Sequence, residues 1–62
     1  MTSSLAAQIA EVEREIAMRR RVYAGQVARG KMRQAEADMH IGRMEDVLAT
    51  LKLLQRGKWV AA

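Results

Sequence analysis

This 62-residue sequence predicts an all-α protein: one antiparallel two-helix hairpin that dimerises into a four-helix bundle. Three observations carry that expectation. Ala, Arg, Glu, Leu, Met and Gln, all good helix formers, dominate the composition, and there is no proline. Apolar residues recur three and four apart, the spacing of one helix face, in two segments of nearly equal length. Between them lies RRRVYAGQVARGKMR, Arg19 to Arg33, with six of the eleven Lys and Arg residues, no Asp or Glu, and Gly25 and Gly30. It reads as the basic end of one helix, a turn near Gly30, and the start of a second helix. The expected boundaries are a first helix over about 5–29, a turn over about 30–33, a second helix over about 34–56 and a tail over 57–62.

Thr2, Ser3 and Ser4 are all candidate N-caps, and Ser4 is favoured because apolar periodicity begins at Leu5. Leu5, Ile9, Val12 and Ile16 then mark one helix face, which Arg19, Tyr23 and Val27 continue. Glu11, Glu13 and Glu15 precede Arg19, Arg20 and Arg21, an order that complements the helix dipole. Glu15 and Arg19 form a favourable i,i+4 pair. Gly25 inside the helix costs roughly 1 kcal/mol relative to Ala. A kink there, or a stop near Tyr23, is the alternative to a helix that reaches Arg29 and ends on Gly30 in the left-handed C′ position.

The second helix begins near Gln34, with Glu36 and Asp38 where negative charge is favoured. Ile41, Met44, Leu48 and Leu51 form its stripe, and His40, Val47 and Leu54 a second row beside it. That face is wider than a two-stranded seam requires and suits a bundle. Gly57 reads as the stop, followed by a tail with Trp59 and Val60. Folding about the turn pairs positions whose numbers add to roughly 63, so Ile16 meets Val47 and Leu48, Val12 meets Leu51, Ile9 meets Leu54, Tyr23 meets His40 and Ile41, and Leu5 reaches Trp59.

Size argues for a second copy. A chain this short buries only about 60% of its unfolded surface and needs disulfides, a metal, oligomerisation or very good packing. Cysteine is absent and there is one histidine, which leaves packing and self-association through the flanks carrying Val22, Val47 and Leu54. No apolar run approaches the roughly 18 residues of a membrane span, and the N-terminus lacks the basic and apolar regions of a signal peptide. A soluble cytoplasmic protein is expected. The formal charge of +4 and pI near 10.4 suit an acidic partner such as nucleic acid, and equally a protein kept soluble by excess Arg.

The run RRRVYAGQVARGKMRQAEADMHIGRMEDVLATL resembles a group of short phage and prophage proteins. The resemblance rests on Arg19 to Tyr23, Val27, Gly30, Met32, Gln34 to Asp38, Ile41, Met44, Thr50 and Leu51, roughly half of the chain. Two positions depart from the pattern. Ala24 stands where Pro follows the Tyr, and Arg33 where a capping Thr or Ser is expected, so the capping box that Glu36 would complete is missing. The resemblance implies a phage setting and a two-helix form, and it supplies no catalytic site.

No residue constellation points to chemistry. His40 shares a helix face with Glu36 and Met44, yet no second His or i,i+3 Glu-His motif supports a metal, and a hydrogen bond to Tyr23 explains it better. The carboxylates Glu11, Glu13, Glu15, Glu36, Asp38, Glu45 and Asp46 lie among Arg residues on solvated faces, with nothing to raise a pKa. Gly25 and Gly30 match no phosphate-binding loop. Met18, Met32, Met39 and Met44 read as core filler before they read as an adaptable partner surface. Arg20, Arg21, Arg29, Lys31 and Arg33 are the candidate partner or phosphate contacts, and their other explanation is a solvated helix end. Only Tyr23 is near enough to stack on a base, so sequence-specific recognition is not expected.

The expected function is a non-enzymatic phage-type accessory protein, with no cofactor, that binds and modulates a host or phage protein. The alternative is a small basic protein associated with nucleic acid. Membrane-surface binding ranks third, because the apolar face is needed for the core.

Overall fold

The computed structural model describes residues 3–57. Two helices, α1 (Leu5–Ala28) and α2 (Gln34–Gln55), pack against each other as a hairpin about a turn at residues 29–33. No helix among the described residues is long and apolar enough to cross a membrane.

The start of α1 is set by Ser4. Its backbone is extended, and its Oγ accepts from the Ala7 N–H at 3.1 Å, satisfying a donor that the helix itself cannot. The helix continues through Gly25 with no break. Ala24 imposes no obstacle of the kind a proline would, and the Arg29 guanidinium folds back over the glycine, 3.6 Å from where a Cβ would stand. The end is a Schellman motif. Lys31 N–H donates to the Gln26 carbonyl at 2.8 Å and Gly30 N–H to the Val27 carbonyl at 3.0 Å, with Gly30 at φ 71°. Because α1 stops at Ala28, neither its first turn nor its last carries the charge that complements the dipole. The ordering of Glu before Arg along α1 therefore has less effect than the sequence suggests, since such effects fade beyond the terminal turns.

Arg33 precedes α2 with an extended backbone (φ −81°, ψ 146°) and no capping side chain, as the missing hydroxyl at this position predicts. Its carbonyl accepts from Glu36 and Ala37, both at 3.1 Å, and Glu36 supplies the negative charge of the first turn. Gly57, at φ 69°, ends α2 by donating to the Leu54 carbonyl at 3.1 Å. The tail from 58, and with it the contact expected between Leu5 and Trp59, lies outside the described residues.

The seam holds the stripes that the spacing predicts. Ile9 and Ile16 are each 7% exposed and Ala37 5%, and these three are the buried apolar residues among those described. Leu5, Val12, Tyr23 and Val27 of α1, with Ile41, Met44, Leu48 and Leu51 of α2, are half-buried along the same line. The register is also close to expectation. Tyr23 and His40, whose numbers add to 63, stack with ring centroids 5.9 Å apart. The cross-helix ion pairs Arg20–Glu45 and Glu13–Lys52 each add to 65. Ala37 joins the core without being marked by the apolar period, to which a small residue adds little. Met18 and Met39 correct the reading of methionine as filler, being 46% and 41% exposed.

Two glycines with opposite roles give a paired test. Gly25→Ala should stabilise the hairpin by about 0.5–1 kcal/mol, because the position is helical and a Cβ meets only ordinary van der Waals neighbours there. Gly30→Ala should destabilise it by about 1–2 kcal/mol, since its φ of 71° is strained for an L side chain. Thermal unfolding followed by circular dichroism would separate the two signs. Ile16→Ala should cost about 2–5 kcal/mol as a large-to-small change in the seam. A shift under about 0.5 kcal/mol in urea unfolding, the range of a surface site, would contradict its place there.

Candidate interaction surfaces

The basic residues singled out in the sequence do not form one cluster. Arg20 is engaged within the fold: its Nη2 donates to Glu45 Oε2 across the seam. Arg21 is exposed but stands eight residues before Arg29, roughly 12 Å along the helix. Lys31 and Arg33 line a shallow concavity at the turn with Gly30, Met32 and Glu36, while the Arg29 guanidinium lies back over Gly25. Among the described residues Arg21, Arg29, Lys31 and Arg33 make no ion pair. Two cations, Lys31 and Arg33, therefore face the concavity of the turn, with Glu36 also on its lining.

Arg19 belongs to the seam. Its Nε donates to Glu15 at 3.1 Å and its Nη1 to the Tyr23 hydroxyl at 3.3 Å. The bond to Tyr23, followed by that to Glu15, raises the guanidinium pKa above its ordinary value, so Arg19 stays charged. His40 meets Tyr23 through its ring, at 44° between planes, and not through the hydrogen bond that the sequence suggests. Among the described residues no group of three or more His, Cys, Asp and Glu side chains gathers in a way that would hold a metal ion.

The hairpin has two unlike sides. Glu13 and Arg20 are seven residues apart on α1, as are Glu45 and Lys52 on α2, so each pair lies on one row of its helix. These rows face each other and close one side with two ion pairs, Arg20 to Glu45 and Lys52 to Glu13, the latter at 3.5 Å. The groove on this side is lined by the charged Arg20, Asp38 and Glu45 and by the apolar Val27 and Ile41 with Tyr23. A matching pattern of opposite charges at seven-residue spacing is visible in the sequence, and would have found both pairs.

The other side carries the candidate oligomer contacts. Val22, Val47 and Leu54 are exposed at 48%, 47% and 46%, each on the row next to the seam. Val47 walls a groove of about 540 Å³ that Gln8, Val12 and Leu51 also line, with mainly apolar surface. Val22 continues the row of Gln8 and Glu15, and Val47 that of His40 and Leu54, each at intervals of seven.

Comparison with protein-family models, with curated proteins and with solved structures finds no match to this chain.

The ion-paired side should be a weak contributor to stability. Arg20→Gln and Glu45→Gln, combined in a double-mutant cycle, should show a coupling of about 0.2–1 kcal/mol, because both side chains are about half exposed. The coupling should shrink when salt is raised from about 50 mM to about 1 M, as urea unfolding at the two ionic strengths would show. A coupling that is unchanged by salt would mean the pair is more sheltered than its exposure implies.

Proposed function

We propose that this chain is a non-enzymatic interaction protein: it dimerises into a four-helix bundle and, in that form, binds and modulates another protein. The observation that carries the reading is the exposed apolar flank of Val22, Val47 and Leu54, beside a seam with only three buried apolar residues among those described. Such a hairpin gains stability when that flank is covered, and a second copy is the partner always at hand. The resemblance to short phage and prophage proteins supports a role as an accessory factor in the cytoplasm of a bacterial host. The target is then a protein of the host or of the phage.

A second reading has its own support. Lys31 and Arg33 at the turn, and Arg29 with its guanidinium lying back over Gly25, have no ion-pair partner among the described residues, which leaves their charge free for phosphate. Salt separates the two readings. An interaction protein should be captured with its target from host lysate at physiological salt, and nuclease treatment should leave that capture intact. For nucleic acid, binding should weaken steeply with salt. The triple variant Arg21→Gln, Arg29→Gln, Lys31→Gln should then lower the slope of log affinity against log salt by roughly one for each phosphate no longer neutralised. Tight nucleic-acid binding at physiological salt, abolished by the triple variant with helicity retained, would replace the first reading by the second.

A further inference from the structure

We infer that the second copy docks on the Val22–Val47–Leu54 side of the hairpin and in one orientation, with the two turns at opposite ends of the bundle. This rests on the dimeric reading above and specifies its surface and its direction.

The choice of side follows from what each side still offers. On the other side the two cross-helix ion pairs span the seam, and a copy docked there would have to cover or displace four charged groups. None of the exposed large apolar residues lies on the Glu13–Arg20 or Glu45–Lys52 rows. On the Val47 side the groove between the helices is open and mainly apolar, with Glu11 on its wall and one ion pair, Arg19 to Glu15, within α1 rather than across the seam. Covering it lengthens the buried line of Ile9 and Ile16 into a layer, because Val12 and Leu51 lie at its floor and are only half-buried in one hairpin.

The orientation follows from charge. Residues 19–45, the half of the hairpin nearer the turn, carry seven Lys and Arg against three Asp and Glu, a net of +4. The rest of the described chain, residues 3–18 with 46–57, carries three against four, a net of −1. Two copies with turns together would place +4 beside +4 across the roughly 10 Å spacing of packed helices, about one Debye length at 0.1 M salt. With turns apart, each basic half lies along the slightly acidic half of its partner. The register agrees. In the frame of the ion pairs, Val47 falls opposite position 18, close to the middle of the stretch where α1 and α2 overlap. A two-fold axis crossing that middle sets Val47 against its own copy, with His40 and Leu54 seven residues to either side.

The absence of cysteine makes the test direct, since any single Cys introduced is the only one in the chain. Val47→Cys should oxidise to a disulfide-linked dimer in high yield at low micromolar concentration, while Ala17→Cys, away from that flank, should stay reduced. A spin label on Lys31→Cys should report a turn-to-turn distance of about 36 Å or more, the length of the 24-residue α1. Sedimentation of each reduced variant establishes that it is still a dimer. A dimer in which Ala17→Cys crosslinks and Val47→Cys does not would overturn the side. Label distances under about 20 Å, two helix spacings, would overturn the orientation. In either case the dimeric reading survives. A cooperatively folded monomer at tens of micromolar would overturn both.

Discussion

The contact between α1 and α2 is a single seam, and two cylinders that touch along a line shelter only what lies on that line. Ile9 and Ile16, seven residues apart, occupy it and are buried. Val12 and Leu48 lie along the same line yet are only half-buried, and the row beside it with Val22, Val47 and Leu54 is exposed. Adding apolar residues to either helix would not change this. Only a further layer would, because the shelter of a residue depends on having neighbours on more than one side. The small size of the protein is therefore felt as a geometric limit before it is felt as an energetic one.

That limit explains why the two sides of the hairpin differ so sharply. Where the rows beside the seam carry opposite charges, Arg20 with Glu45 and Lys52 with Glu13, the helices satisfy each other and the aliphatic stems of Arg and Lys cover the edge of the core. Where the rows carry Val22, Val47 and Leu54, neither helix can satisfy the other. The ion pairs contribute little free energy by themselves, being half exposed. Their larger effect is on register, since sliding one helix past the other would separate both pairs at once. The turn acts in the same direction. Gly30 and the two carbonyls it helps to satisfy fix where α1 ends, and so where α2 must begin.

The distribution of charge gives the molecule a direction as well as two sides. The excess of Lys and Arg is concentrated toward the turn, and within that region the cations have different fates. Arg19 is bound to Glu15 and Tyr23, and Arg20 to Glu45. Arg29 lies back along its own helix over Gly25, and Lys31 and Arg33 flank the concavity of the turn. A run of basic residues that looks uniform in the sequence is thus divided by the fold into structural cations and available ones.

Secondary structure here was determined by the sequence alone. Helix formers without proline, Ser4 before the first apolar residue, Gly30 and Gly57 at the two ends, and stripes at three and four are local signals, and the helices begin and end within a residue or so of where they point. The pairing of Tyr23 with His40 was legible too, since a short turn between helices of similar length leaves little freedom in register. What the tertiary structure decided was which side of each helix stays uncovered and which charges are spent. Arg20 and Arg21 are neighbours with the same chemistry, yet a rotation of about 100° brings one to Glu45 and leaves the other in solvent. Ala37 is buried by its place beside the turn, although its side chain is too small to register in a hydrophobic pattern. Periodicity shows that a face is apolar, but how much of that face is covered depends on the partner helix, and this is settled only when the two are brought together.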